Sequence, residues 1–254
     1  MKIGVIFNPG AGGIGKYREI GKVIEDVFSS HDLITGNSLF GSNYVSAPEL
    51  VGDQLVEDFQ KNMDNILKPF VEKRVDMIIA VGGDGFLTHI AGILIRKDVH
   101  IPLMGIAGGT ANIGPLIKFN QQNLGSFIPG DMVLEKVGCI EVTTGGSILG
   151  YAFCDVVLGD TFLGTKENRM CNFSAKAFLQ TGSKVEIEPE EQITGEQFSL
   201  CKNRNKQIIK SKKIAQIIAA PIYHKEFYRG KAITGALCYS LYNNYGASIG
   251  ISDS

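Results

Sequence analysis

Several things are scarce in this chain, and each scarcity closes a class of protein. Its five cysteines (Cys139, Cys154, Cys171, Cys201 and Cys238) include no CxxC pair and no histidine at finger spacing. Neither a disulfide framework nor a structural zinc site is expected, and a reducing compartment, the cytoplasm, fits best. Charge of either sign is not in surplus: 25 Lys and Arg stand against 26 Asp and Glu, a net charge of -1. Nothing global therefore argues for nucleic acid or an anionic membrane as partner. Long apolar runs are missing too. Met1–Phe7 breaks at Asn8-Pro9 after one strand's length, too short for a signal peptide's apolar region, and no later run approaches a membrane span. There is no internal repeat and no low-complexity tract. What remains is a globular composition of 254 residues, 44% hydrophobic and 20% charged, enough for one large domain or two modest ones. Glycine is the outlier, with 31 residues, so many sharp turns or close backbone approaches are expected.

The two halves of the chain differ in rhythm. Up to about residue 128, short apolar runs alternate with helical periodicity. Strands are predicted at Lys2–Phe7, Asp76–Val81 and Ile101–Ala107. Helices are predicted at Lys16–Ser29, from Pro48 through Phe70, at Phe86–Arg96, and at Ile113–Phe127 with an interruption at Pro115. Strand–helix alternation implies crossover units and a parallel sheet covered by helices on both faces. From Asp131 the pattern turns β-rich. Strand candidates lie at 133–143, 147–158, 184–188, 193–200, 206–210, 213–219, 231–240 and 246–251, with one helix in Thr165–Gln180. The expected fold class is α/β, an N-terminal Rossmann-like parallel sheet domain (1–130) followed by a C-terminal β-sandwich-like domain (131–254).

Three glycine loops carry the candidate chemistry. The first, Asn8-Pro9-Gly10-Ala11-Gly12-Gly13-Ile14-Gly15-Lys16, follows the first strand. It contains Gly10-x-Gly12-x-x-Gly15, but Asn-Pro intervenes after the strand and no acidic residue closes the second strand near Thr35, which weakens a dinucleotide-fingerprint reading. It also reads GxxxxGK, but Tyr17 stands where a phosphate loop needs a magnesium-binding hydroxyl. A tight ligand-free turn and an anion site at a helix N-terminus both remain open for this loop. The second loop, Val81-Gly82-Gly83-Asp84-Gly85-Phe86, sets one carboxylate among three glycines. Asp84 suits a helix cap, a base for an attacking hydroxyl, or a group that helps position magnesium, and a cap alone does not require a glycine on each side. The third, Gly105-Ile106-Ala107-Gly108-Gly109-Thr110-Ala111-Asn112, offers small residues, a hydroxyl and an amide to phosphate or ribose oxygens. The ends of parallel strands share one edge of the sheet, so the three loops are expected to meet there.

On these residues the chain resembles the NAD kinase/diacylglycerol kinase superfamily: NP-x-x-G after the first strand, GGDG after a mid-domain strand, then GT-x-N after the next. In the second half, Cys154-Asp155-Val156-Val157-Leu158 and Ile217-Ile218-Ala219-Ala220-Pro221 are similar to strand motifs of the NAD kinase branch. The overall pattern looks most like divergent ATP-NAD kinase-like proteins of the acetoin-catabolism type. Departures accompany the match. Phe86 replaces the threonine of GGDGT, Cys154 replaces an asparagine, and Ile222–Gly230 stands where a GSTAY-type loop is expected. The third loop is nearer the lipid-kinase form.

The resemblance implies a kinase with ATP as donor and magnesium carried on it, with no direct metal site on the chain. The acceptor it implies is the 2′-hydroxyl of the NAD adenosine ribose, giving NADP. The alternatives are a lipid or long-chain-base kinase and a non-catalytic nucleotide-binding regulatory protein. Asp84 would be catalytic. Asn8, Pro9, Gly12, Gly82, Gly83, Gly85, Gly109, Thr110 and Asn112 would hold ATP phosphates or ribose, and Asp155 would bind the acceptor. Expected partners are small nucleotides, ATP and NAD, and other copies of the chain in a homo-oligomer. The basic stretch from Lys202 to Lys213 lacks interleaved aromatics and reads as a solvated hairpin. His224 is an isolated loop histidine.

Overall fold

In the computed structural model, the described residues are 1–52, 59–109, 112, 114–154, 156–166 and 169–187, and beyond 187 the strand segments named below. The chain divides into two compact units, Met1–Val137 and Gly138–Ser254.

The first unit is α/β. In chain order it runs β1 (Lys2–Phe7), α1 (Tyr17–Val27), β2 (Asp32–Gly36), β3 (Glu49–Val51), α2 (Phe59–Glu72), β4 (Met77–Gly82), α3 (Asp84–Arg96), β5 (Leu103–Ala107), β6 (Ile117–Phe119) and α4 (Gln121–Leu124). The strands form one six-stranded sheet in the order β3-β2-β1-β4-β5-β6, and every pairing is parallel. This is the order of a doubly wound sheet, and the chain reverses direction between β1 and β4.

Side chains alternate across the pleat, so each central strand feeds two cores. Ile3, Val5 and Phe7 of β1, with Met77, Ile79 and Val81 of β4, pack with Ile20, Ile24 and Phe28 on one face. Ile6, Ile78 and Ala80 turn the other way, onto Met63, Ile66 and Phe70 of α2 and Leu87 and Ile90 of α3. That double burial explains why β4 reads as an unbroken apolar run. Gly4 is the exception that makes α2 fit: a Cβ there would lie 2.7 Å from Cδ2 of Phe70, whose ring rests on the strand.

Two predicted helices are corrected. Pro48 does not open one; Glu49–Val51 instead adds to the exposed edge of β2, and α2 starts at Phe59, with 53–58 outside the described residues. Gly52, at φ +82, ends that strand in the left-handed region where a side chain is strained. Nor is Ile113–Phe127 a broken helix. Residues 117–119 pair with β5, and Asn120 then caps the short α4 by accepting from the N–H groups of Gln122 and Asn123. An open strand edge outcompetes a helix that already contains a proline.

The second unit is β-rich: β7 (Ile140–Thr144), β8 (Ser147–Ala152), β9 (Val156–Leu158), β10 (Thr161–Lys166), β11 (Arg169–Ser174), α5 (Ala175–Thr181), β12 (Ile193–Thr194), β13 (Phe198–Lys202), β14 (Asn205–Ile209), β15 (Lys213–Ile214), β16 (Gln216–Pro221), β17 (Tyr239–Ser240) and β18 (Ala247–Ser252). A four-stranded sheet, β17-β18-β16-β9, accompanies four two-stranded pairs. A sandwich depends on how such sheets stack, which strand pairing does not define. Residues 133–139, expected to begin a strand, form none, and of the strand expected at 184–188 the described residues contribute a single bridge from Glu186 to Phe173. Of the helix expected in Thr165–Gln180, the first part is instead taken by the β10–β11 hairpin, and α5 covers only the end, running one residue past it to Thr181. Lys202 and Lys206 lie on the β13–β14 hairpin, as the basic stretch suggested, while His224 and the 222–230 segment lie outside the described residues.

Candidate functional site

The three glycine loops leave adjacent strands at the carboxyl edge of the sheet and touch one another through their backbones. The Asn8 N–H donates to the Val81 carbonyl at 2.9 Å, and the Gly108 N–H donates to the Gly82 carbonyl at 2.8 Å. Each bond extends a strand pairing one step into the loops. A Cβ on Gly109 would lie 2.6 Å from the Gly83 Cα, so the second and third loops approach closer than side chains allow. Gly82 is likewise fully used, because its missing Cβ makes room for Phe86 at 2.6 Å and Asn8 at 3.1 Å. Gly85 differs: it is exposed, and nothing lies within 4 Å of its Cβ position. Of these glycines it is the one whose open side faces free space rather than packed protein.

Asp84 is the first residue of α3, and Gly83, with no side-chain capping bond, is the N-cap. A carboxylate there is favoured by the positive end of the helix. Rather than standing exposed at a loop tip, Asp84 is part-buried, and its Oδ1 accepts the Gly114 N–H at 2.8 Å. That bond ties the second loop to the β5–β6 connection and fixes the rotamer. An ionised carboxylate offers about four lone-pair sites on two oxygens, so one that accepts from the backbone can also accept from a hydroxyl. Phe86, the departure from the family motif, is 5% exposed and belongs to the core beside α2. Its ring packs into that core with Cδ1 against Gly82.

Between the first and third loops lies a cleft of about 390 Å³. Gly12, Gly13 and Lys16 form one side, Gly108, Gly109 and Asn112 another, and Asn120 to Gln122 border it as well. Lys16 is the single charged residue among the described lining, and Gln121 at its border donates to the Glu19 carboxylate at 2.7 Å. Sequence reasoning passed over Lys16 when the phosphate-loop pattern failed at Tyr17, although GxxxxGK itself carried the signal. It also missed Gly13 and Gly108. A Cβ on Gly13 would press into the Gly108 carbonyl oxygen, a contact between distant residues that no local pattern reveals.

The predicted residues thus divide. Asn8, Gly82, Gly83 and Gly109 are brought together at the backbone, while Gly12, Gly109 and Asn112 border the cleft. Pro9 sits half-buried between Asn8 and Gly10, where the Asn8 Oδ1 accepts the Gly10 N–H at 3.0 Å. Asn112 is engaged within its own loop: its Oδ1 accepts from the Gly109 N–H at 3.0 Å and its Nδ2 donates to the Gly109 carbonyl at 2.7 Å. Thr110 and Asp155 lie outside the described residues. The two second-half motifs do meet, because Val156–Leu158 of β9 pairs antiparallel with Ile217–Ala219 of β16. Among the described residues no group of three or more His, Cys, Asp or Glu could hold a metal ion, and no helix is long and apolar enough to cross a membrane.

Residues 2–115 match the family model described as the diacylglycerol kinase catalytic domain. The matched stretch contains all three glycine loops and lies within the first unit. A search of curated proteins finds no match. Among solved structures, two described as diacylglycerol kinases of Bacillus anthracis str. Sterne are similar. One is 17% identical over 88% of this chain and 66% of its own length, with a TM-score of 0.48. The other is 16% identical over 100% of this chain and 74% of its own length, with a TM-score of 0.49. This chain therefore spans just under two thirds of the first and about three quarters of the second.

Proposed function

We propose that this chain is an ATP-dependent phosphotransferase acting on a hydroxyl acceptor. The observation that carries the reading is the meeting of three glycine loops and one helix-start carboxylate, Asp84, on a single sheet edge. The match to a kinase catalytic-domain model over the same residues supports it. The triphosphate would enter the cleft between the first and third loops, with Lys16 as its cationic partner, and reach its γ-phosphate toward the second loop and Asp84. Magnesium fits this chain as an ion carried on the triphosphate, where it would screen charge. In the reaction the acceptor oxygen attacks the γ-phosphorus and its proton passes to Asp84. The bond from that phosphorus to the β–γ bridging oxygen breaks, and ADP leaves.

Separate observations support two acceptors. The diacylglycerol kinase match and the Gly109-Thr110-x-Asn112 loop favour a lipid hydroxyl. Pairing of β9 with β16 sets the two NAD-kinase-like motifs side by side and favours NAD, with Asp155 accepting from a ribose hydroxyl. ADP release from purified protein, with ATP, magnesium and either NAD, diacylglycerol in mixed micelles or a long-chain base, separates them. Turnover with one acceptor assigns it. ATP binding without turnover on any acceptor overturns the enzyme reading in favour of a nucleotide sensor.

A further inference from the structure

Tyr17 is the residue on which the phosphate-loop pattern fails, and the structure gives its hydroxyl another task. The ring is wholly buried, packed against Phe7 at 5.1 Å and Tyr44 at 5.2 Å between centroids. From there the hydroxyl reaches the Asn8 carbonyl of the first loop at 3.1 Å and the Gly108 carbonyl of the third at 3.5 Å. The ring also touches the third loop, since a Cβ on Gly108 would lie 2.8 Å from Cε1 of Tyr17. These are the two loops that flank the cleft lined by Lys16.

We infer that Tyr17 is a positioning residue: its hydroxyl locks the first and third glycine loops to each other and sets the width of the phosphate-receiving cleft. A hydroxyl has one proton, so it serves one carbonyl at a time and holds the other within reach. Desolvation, followed by the neighbouring Tyr44, pushes its ionisation well above the ordinary tyrosine value, so it stays a neutral donor throughout the physiological range. With its hydroxyl turned toward protein carbonyls, Tyr17 is not the magnesium ligand that a serine or threonine supplies in a phosphate loop. The inference rests on the cleft receiving phosphates.

Tyr17→Phe tests it by removing one oxygen and keeping the ring in its aromatic cluster. A non-hydrolysable ATP analogue, titrated by calorimetry, should bind about 5- to 10-fold more weakly, the scale of one lost hydrogen bond. The KM for ATP should rise in step, while turnover at saturating ATP stays within about twofold because the reacting groups are unchanged. Tyr44→Phe removes a hydroxyl from the same cluster without touching either loop, and should bind like wild type. Gly13→Ala, which pushes on the Gly108 carbonyl, should reproduce the affinity loss with Tyr17 intact, and carries the test if Tyr17→Phe fails to fold. Wild-type affinity in Tyr17→Phe, or equal losses in Tyr17→Phe and Tyr44→Phe, overturns the inference alone. If wild type itself binds no ATP analogue, the cleft reading falls and this inference falls with it.

Discussion

The two units of this chain solve the same problem, how to finish a β-sheet, in opposite ways. In the first, β1 and β4 are covered on both faces, and four residues of β4, Ile78 to Val81, are 0% exposed. In the second, the β7–β8 hairpin keeps Leu149 at 64% exposure and turns at Gly145-Gly146, both in the left-handed region. A two-residue turn with both φ values positive matches the twist of a hairpin through local backbone geometry. A buried parallel sheet, by contrast, exists only as part of a packed whole. The lesson is about tolerance: the unit with the candidate chemistry is the one where small changes are felt.

The sharpest break between the units should come at the second loop. Asp84→Asn keeps the shape of the side chain and its bond to Gly114 while losing the basic oxygen. It should lower turnover by roughly 10²–10⁴-fold, with nucleotide binding retained, as read by ADP release and analogue titration. Turnover equal to wild type would reduce Asp84 to a strut for the β5–β6 connection.

Packing should give the next largest effect. In Gly4→Ala the new methyl would meet the Phe70 ring at 2.7 Å, so the strand or α2 must shift. A loss of about 1–3 kcal/mol in urea unfolding of the first unit is expected from such overpacking.

Acid should also act on the first unit. His89 of α3 has its pKa lowered from the usual 6.5, chiefly by burial, then by Arg96, with Asp64 opposing. Its Nε2 has no hydrogen-bond partner among the described residues. Because the folded state resists the proton, stability is full above pH 6.5 and declines as pH falls below it, where the unfolded chain protonates first. Melting temperatures across pH 5 to 8 should show that slope, and His89→Leu should flatten it.

The smallest effect tests the comparison from the other side. Gly150, in β8, has nothing within 4 Å of its Cβ position among the described residues. Gly150→Ala should therefore cost nothing and stabilise the hairpin by up to about 0.5–1 kcal/mol, since glycine is the poorer strand residue. A loss there as large as at Gly4 would mean that the second unit is packed as tightly as the first.

How much was legible in the sequence follows the same divide. Lys2–Phe7 was read to the residue because its neighbours on both faces are apolar, and Asp84 stood out because three glycines surround it. Short segments that pair by opportunity, such as 49–51 and 117–119, carry no period long enough to see; they follow from which edges are left open. Tyr17 could be seen as an exception to a motif, yet its partner Gly108 lies 91 positions away, and only folding brings the two together.

The placement of β1 bears on how the chain is made. It is synthesised before the two strands that flank it, β2 and β4, and lies between them in the sheet. Its pairing with β2 needs about thirty residues of chain, but the N–H of Lys2 meets the carboxylate of Asp76 across 74 positions. Until β4 emerges, β1 has one flank unpaired, and the loop that follows it has no Val81 carbonyl to receive the Asn8 N–H. Such non-local parallel pairing is slow to form. A strand made before both of its neighbours is thus completed only when the later one arrives, and the glycine loop attached to it takes shape only with the sheet.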